Sequence, residues 1–177
     1  MTSEMSRGAT RIILMRHAEK TGEADDRDLS ERGQCRAAIL ATALPAAFGQ
    51  IDAIIAAKSS ERSVRPLRTV EPLAIALGLA VLQNWDASNY SELASLLESD
   101  GRFNGQQVLI CWRHKSIHKL AMALGIANIS PWPETDYVHI VAIQRHPAFA
   151  VTWYRQWLDG KELTLEPVLL SKTDDPA

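Results

Sequence analysis

The sequence has few of the features that mark secreted, membrane or nucleic-acid-binding proteins. Its two cysteines, Cys35 and Cys111, have no zinc-ribbon or redox spacing, which excludes a disulfide-stapled scaffold. No run approaches the ~20 apolar residues of a membrane span, and residues 1–10 lack a signal-peptide stretch. With 19 basic and 21 acidic residues, the chain has no general positive excess for holding nucleic acid. We therefore expect a cytoplasmic protein that binds neither membrane nor nucleic acid.

The glycine motifs that commonly bind phosphate are also missing. The patterns G-x-G-x-x-G, G-x-x-x-x-G-K-[ST] and G-x-S-x-G do not occur, which excludes the usual dinucleotide, P-loop and serine-hydrolase sites. His114 and His118 lack the glutamate of an H-E-x-x-H zinc site, and the acidic residues between 23 and 28 lack EF-hand spacing. The sequence thus predicts no metal and no organic cofactor.

What the sequence does contain is an ordinary globular composition. Its 177 residues are 46% hydrophobic and 23% charged, a length and balance typical of one domain with a sizeable core. We expect that domain over residues 11–170, with a flexible segment at 1–10 and a flexible tail at 171–177.

Strand-like and helix-like segments alternate along the chain. Apolar runs predict strands at residues 11–15, 51–56, 79–82, 108–112 and 137–143. Helical spacing predicts helices at residues 34–44, 69–77, 91–98 and 116–124, with Pro45 ending the first. Residues 148–158 suit a last helix, although they also include good strand formers. The alternation predicts an α/β fold, a three-layer sandwich with a mostly parallel central sheet and helices on both faces.

Cations or histidines follow each of the three firmest strands. These residues are Arg16, His17 and Lys20 after the first, Arg62 and Arg65 after the second, and Arg113 and His114 after the third. The carboxyl ends of parallel strands meet at one edge of a sheet, where ligands bind. Arginine donates a planar fork to phosphate oxygens, and a neutral imidazole can attack phosphorus. The pattern therefore predicts a phosphoryl site in which His17 acts as a nucleophile without a metal.

Four segments, in order, resemble the motifs of the histidine phosphatase superfamily, which includes phosphoglycerate mutases, acid phosphatases and short phosphohistidine phosphatases. They are residues 13–20, 28–33, 65–69 and 108–114. The resemblance covers about residues 11–145. It implies a phosphoglycerate mutase-like fold whose mixed sheet contains one antiparallel strand.

The resemblance also implies roles for individual residues. His17 corresponds to the phosphorylated nucleophile, while Arg16, Arg65 and His114 correspond to the residues that hold the phosphoryl oxygens. Lys115 follows His114 where phytase-like members have an aspartate, so the proton donor is expected elsewhere. Glu92 is the first candidate for that acid, and Asp86 is the second.

Further cations are expected around the substrate. Arg62, Arg113 and Lys20 are predicted to bind it together with Arg16 and Arg65. Arg113 and Arg68 depart from the family pattern. Either they make the pocket more cationic, which would suit a polyanionic or acidic substrate, or they form solvated salt bridges.

The sequence thus predicts a metal-independent phosphatase that hydrolyses a phosphomonoester or phosphoramidate through a phosphohistidine on His17. The substrate is a phosphorylated small molecule or a phosphoprotein. A phosphoglycerate mutase-like phosphotransferase and a phosphate-binding module with little turnover are the alternatives. The sequence decides neither the substrate nor the oligomeric state.

Overall fold

The computed structural model describes residues 8–23, 25–159 and 162–168. The flexible segments predicted at 1–10 and 171–177 lie outside that part, apart from residues 8–10. The elements are β1 (Arg11–Arg16), α1 (Glu31–Phe48), β2 (Ala53–Ala56), α2 (Arg65–Leu77), β3 (Val81–Leu82), α3 (Tyr90–Ser99), a 3-10 turn (Gly101–Phe103), β4 (Gln107–Trp112), α4 (His114–Ala123), β5 (His139–Gln144), β6 (Ala150–Asp159) and β7 (Glu162–Val168). No helix within the described ranges is long and apolar enough to cross a membrane.

The strands form one sheet in the order β3-β2-β4-β1-β5-β6-β7. The pairs β2–β3, β2–β4 and β1–β4 are parallel, whereas β1–β5, β5–β6 and β6–β7 are antiparallel. Most of the paired length is antiparallel, so the prediction of a mostly parallel sheet was wrong. Short connections join β5 to β6 and β6 to β7, and short connections can link only antiparallel strands.

Helices cover the sheet on both faces, as predicted. Along β1, Ile12 and Leu14 belong to one buried cluster, which includes residues of α3 and α4. The alternate residues Ile13 and Met15 belong to a second cluster with residues of α1 and α2. Because both faces of β1 are buried, its sequence is a continuous apolar run. That run is why β1 could be predicted from the sequence.

Residues 148–158 form no helix but lie mostly in the long strand β6, so the helical interpretation was wrong. In a strand, Tyr154 and Gln156 share one face. Tyr154 packs edge-on against Phe48 of α1 at 4.9 Å between ring centroids, and Gln156 bonds to Arg36 of the same helix. Every second residue of this segment therefore contacts α1, which favours a strand over a helix. Strand β7 was not predicted.

Pro45 does not end α1, which continues to Phe48. A proline inside a helix removes one N–H donor but still supplies its carbonyl. The Pro45 carbonyl accepts the Gly49 N–H at 2.9 Å, and Phe48 is buried beyond it. Burial of this last turn offsets the lost hydrogen bond.

The start of α1 lies against the loop that follows β1. Ser30 is the N-cap, and its Oγ accepts the Gly33 N–H at 3.1 Å. The Ser30 N–H donates to the Glu19 carbonyl at 3.0 Å. A Cβ at Gly33 would overlap that same carbonyl oxygen, so the close approach needs a glycine.

Candidate active site

The carboxyl ends of β1 and β4 and the first turns of α2 and α4 surround a cavity of about 430 Å³. The predicted site residues that line it are His17, Lys20, Arg62, Arg65, Arg113 and His114. They come from three separate stretches of the chain. The sheet therefore brings together the residues that follow its strands, as the sequence predicted.

Arg16 is the last residue of β1 and is only 1% exposed. Its Nη1 donates to three main-chain carbonyls, those of Pro133 at 3.0 Å, Glu134 at 2.6 Å and Asp136 at 2.9 Å. Its Nε and Nη2 are buried and have no hydrogen-bond partner among the described residues. One edge of the guanidinium is thus anchored, and the other edge offers donors for an anion.

His17 follows directly and is 4% exposed. Its Nδ1 lies 2.7 Å from the Ala18 carbonyl oxygen. Because a carbonyl can only accept, Nδ1 carries the hydrogen and the neutral ring keeps its lone pair on Nε2. Burial, together with the positive charges of Arg16 and Arg65, lowers the pKa of His17 to about 3. The ring is therefore neutral at pH 7 and has the tautomer of a nucleophile.

Arg65 opens helix α2. Its Nη1 donates to the Asp26 carbonyl at 2.7 Å, while its buried Nε has no partner among the described residues. Thr69, one turn later, accepts the Ala18 N–H at 2.9 Å and donates to the Arg65 carbonyl at 2.8 Å. The segment 65–69 thus fixes the backbone beside the nucleophile and also supplies a cation.

His114 is the first residue of α4, two residues earlier than the sequence predicts for that helix. Burial lowers its pKa to about 4, and the positive charge of Arg16 acts in the same direction. His114 is therefore a neutral ring at pH 7, able to donate one N–H to a phosphoryl oxygen.

The three residues predicted to bind substrate reach the cavity in different ways. Arg113 is half-buried, and its Nη2 donates to the Lys58 carbonyl at 2.9 Å. Arg62 is exposed at the opening. Lys20 lines the cavity and is paired with Glu134.

The structure does not bring Glu92 to the cavity. Glu92 is exposed on α3, where its carboxylate accepts a long hydrogen bond from Asn89. Tyr90, two residues earlier, lines the cavity, and two residues rotate a helix by roughly 200°. The structure therefore gives no support to Glu92 as the acid, and that role stays a prediction. Asp86 is also exposed and does not line the cavity, although its charge acts on Arg113.

Arg68 lies outside the cavity. It is exposed and forms ion pairs with Glu71 at 2.8 Å and Asp28 at 3.5 Å. Of the two interpretations of this residue, the structure supports the solvated salt bridges.

The loop that anchors Arg16 was missed in the sequence. Tyr137 lies under the guanidinium, whose Cζ is 3.9 Å from the ring centroid. Asp136 accepts from the His139 ring at 2.6 Å and from the Val138 N–H at 3.0 Å. Burial alone would raise the pKa of Asp136, but the hydrogen bonds and charge of His139 lower it overall. No local sequence pattern signals this loop, because its contacts to Arg16 use main-chain oxygens.

Glu19 pairs with a buried arginine. Its carboxylate accepts from Nε and Nη2 of Arg36 at 2.6–3.1 Å, and Arg36 is 1% exposed. Burial alone would raise the pKa of Glu19, but the hydrogen bonds and charge of Arg36 lower it overall. This pair fixes the loop two residues beyond the nucleophile.

No group of three His, Cys, Asp or Glu side chains in the described ranges is arranged to hold a metal ion. The groups that converge on the cavity are cations and neutral imidazoles. Such a set binds anions.

Comparisons with known proteins identify the fold of this chain. No family model matches the sequence, and no curated protein matches it either. Among solved structures, the chain is similar to the protein histidine phosphatase SixA complexed with tungstate, with 16% identity, a TM-score of 0.56 and coverage of 81% of this chain and 94% of that one. The chain therefore shares its fold with SixA.

Two further solved structures share this fold. A mycobacterial glucosyl-3-phosphoglycerate phosphatase is 16% identical, with a TM-score of 0.54 and coverage of 91% of this chain and 98% of that one. Phosphoglycerate mutase from Plasmodium falciparum is 12% identical, with a TM-score of 0.55 and coverage of 90% and 99%. The resemblance found in the four sequence segments is thus confirmed in the fold.

Proposed function

We propose that this protein is a phosphatase that transfers a phosphoryl group from its substrate to His17 and then to water. The observation that carries the proposal is the tautomer of His17. Its Nδ1–H is held by the Ala18 carbonyl at 2.7 Å, which leaves the Nε2 lone pair for attack on phosphorus.

In the first step, His17 Nε2 forms a bond to phosphorus while the bond to the leaving group breaks. The leaving group departs with that electron pair. The free donors of Arg16 and Arg65, with an N–H of His114, bind the phosphoryl oxygens as charge spreads over them. The phosphorylated ring gains positive charge, and the Ala18 carbonyl stabilises it through Nδ1–H.

In the second step, a water molecule attacks phosphorus and the N–P bond breaks. The electron pair returns to Nε2, the water loses a proton to solvent, and inorganic phosphate leaves. This route uses a nitrogen nucleophile and fixed cations, so it requires no metal.

The surroundings of the cavity favour one class of leaving group. Among the described residues, no carboxyl group lines the cavity to protonate a departing alkoxide. A phosphorylated imidazole needs no such acid, because its second ring nitrogen takes a proton from solvent and the ring leaves neutral. Phosphoramidates are therefore the preferred substrates in this proposal, with esters of acidic alcohols next.

The neighbours differ in the chemistry that their names record. One is a protein histidine phosphatase and another is a sugar-acid phosphatase. These names support a phosphorylated protein or small molecule as substrate, but they do not choose between the two. The cytoplasmic location expected from the sequence stays a prediction.

The test is hydrolysis of phosphoimidazole, an aryl phosphate and an alkyl phosphate by the wild type and by His17→Ala, each with and without EDTA. We expect EDTA-resistant turnover that is fastest on phosphoimidazole and at least about a thousandfold slower in His17→Ala. His146→Ala, which changes a histidine outside the cavity lining, is the matched control.

Rapid quenching should also trap a phosphoenzyme that is stable in base and labile in acid. Turnover that EDTA abolishes, or that survives in His17→Ala, would contradict the proposal. Binding of inorganic phosphate without any turnover would support the phosphate-binding alternative instead.

A further inference from the structure

The charge around the cavity is unlike that of the whole chain. The protein has a net charge of −2, yet six lysine and arginine side chains line the cavity, and none of the described aspartates and glutamates does. The proposed chemistry uses Arg65 from this lining, with Arg16 behind it. Arg62, Arg113, Lys115 and Lys119 have no ion pair to any described residue. The site therefore carries more positive charge than one phosphoryl group needs.

Arg113 is held in place beside the phosphoryl site. Its Nη2 donates to the Lys58 carbonyl at 2.9 Å and to Ser60 Oγ at 3.1 Å. Its Nε is buried and has no partner among the described residues. Arg113 is thus held by two hydrogen bonds from Nη2, and its Nε–H remains an unused buried donor.

Helix α4 adds further groups next to Arg113. Arg113 is the N-cap residue of α4, and Ser116 and Lys119 lie three residues apart on one face of the helix. All three line the cavity, and the buried Ser116 Oγ also has no partner among the described residues. Lys119 Nζ is 6.0 Å from the ring centroid of Tyr90, which closes this side of the cavity.

We propose that Arg113, Ser116 and Lys119 form a second anion subsite beside the phosphoryl site. The substrate is then a phosphorylated compound with a second anionic group, a carboxylate or phosphate, close to the phosphoryl group that is transferred. This inference rests on the proposed function, because the second anion is assigned to the same cavity that binds the transferred phosphoryl group.

The test measures binding by calorimetry with phosphonates, which are not hydrolysed. Methylphosphonate carries one anionic group, whereas phosphonoacetate adds a carboxylate. Charge-assisted hydrogen bonds to the carboxylate should make phosphonoacetate bind at least about tenfold tighter to the wild type. Lys119→Met should remove most of that gain while methylphosphonate binding stays within about twofold. Arg113→Gln should also remove most of the gain.

Arg68→Met is the matched control, because it removes an exposed arginine outside the cavity and should keep the full gain. Lys119 is exposed, so its variant keeps the test valid even if loss of the Arg113 contacts to Lys58 and Ser60 prevents folding. Equal affinity for the two phosphonates, or a gain that both variants retain, would overturn the subsite. If methylphosphonate does not bind to the wild type, that result would contradict the phosphoryl site itself and hence the proposed function.

Two peptides distinguish the sources of the second anion. Each carries a phosphonotriazole side chain in place of phosphohistidine, flanked either by aspartates or by alanines. Tighter binding of the aspartate peptide, lost in Lys119→Met, would assign the subsite to an acidic protein segment. Equal binding of the peptides together with a gain for phosphonoacetate would assign it to a small phosphorylated acid.

Discussion

Arg36 Nη1 donates a hydrogen bond to Gln156 Oε1 across 3.1 Å, which joins helix α1 to strand β6 in the interior. The other edge of the same guanidinium binds the Glu19 carboxylate. The Gln156 main-chain N–H donates to the Val138 carbonyl at 2.8 Å. One buried network therefore connects the loop after His17 with the loop that anchors Arg16.

Gln156→Leu should destabilise the protein. The variant leaves Arg36 Nη1 buried without an acceptor, which should lower the free energy of unfolding by about 1–3 kcal/mol. Denaturant-induced unfolding measures the change. Thr164→Val on the exposed face of β7 is the control and should shift the midpoint little. An unchanged midpoint for Gln156→Leu would show that the network adds no stability.

Thr69→Val should loosen the backbone next to the nucleophile. Valine keeps the shape of threonine but cannot accept the Ala18 N–H, which the hydroxyl binds at 2.9 Å. We expect a loss of about 1–3 kcal/mol in stability and weaker binding of methylphosphonate. Thr42→Val removes an exposed helical hydroxyl and serves as the control. Wild-type affinity in Thr69→Val would mean that the Ala18 contact does not position the site.

Gly33→Ala should destabilise the protein although alanine favours helices. In an ordinary helical position, replacing glycine by alanine stabilises a protein by up to about 1 kcal/mol. Here the new Cβ would overlap the Glu19 main-chain carbonyl, which cannot move aside as a flexible side chain can. A Cβ at Gly22 meets nothing within 4 Å, so Gly22→Ala should leave the melting temperature nearly unchanged. A Gly33→Ala variant as stable as Gly22→Ala would argue against the close approach.

The ring of His17 should stay neutral well below pH 6. Its pKa in the folded protein is about 3, whereas the ordinary value is 6.5, so two-dimensional NMR of the ring nitrogens should show no protonation between pH 7 and 5. Below pH 6.5 the unfolded chain takes up the proton and the folded chain does not. The free energy of unfolding therefore decreases as the pH is lowered, and His17 accounts for about 2 kcal/mol of that decrease at pH 5.

His17→Asn should lose less stability than the wild type between pH 7 and 5, because it lacks that titration. Unfolding curves at both pH values measure the difference, and the variant also assigns the His17 signal in the spectrum. A His17 ring that titrates near pH 6.5 would contradict both the burial and the proposed neutral nucleophile.

Most of the site residues that the sequence revealed either come at the end of a buried strand or begin a helix. Arg16 and His17 end an apolar run, and Arg65 begins a helix, so local patterns were enough to find them. The parallel half of the sheet, with its strands between helices, was predictable for the same reason. Gln156 was not, because its role depends on a partner 120 residues away.

The antiparallel half of the sheet and the acid illustrate the limits of local patterns. Residues 150–159 suit either a helix or a strand in isolation, and the packing of Tyr154 on Phe48 decides between them. Glu92 is only two residues from Tyr90, which lines the cavity, but it lies on the outer side of α3. This is because a helix turns about 100° per residue. Which side of a helix faces a site depends on tertiary packing.

The three oxygens that hold Arg16 belong to the main chain of Pro133, Glu134 and Asp136. Every amino acid supplies such an oxygen, so the anchor depends on the path of the loop and not on the identity of its side chains. These three hydrogen bonds require no particular side chains, so they can persist over evolution as the loop sequence changes. Distant relatives should share the course of this loop long after its sequence has diverged beyond detection.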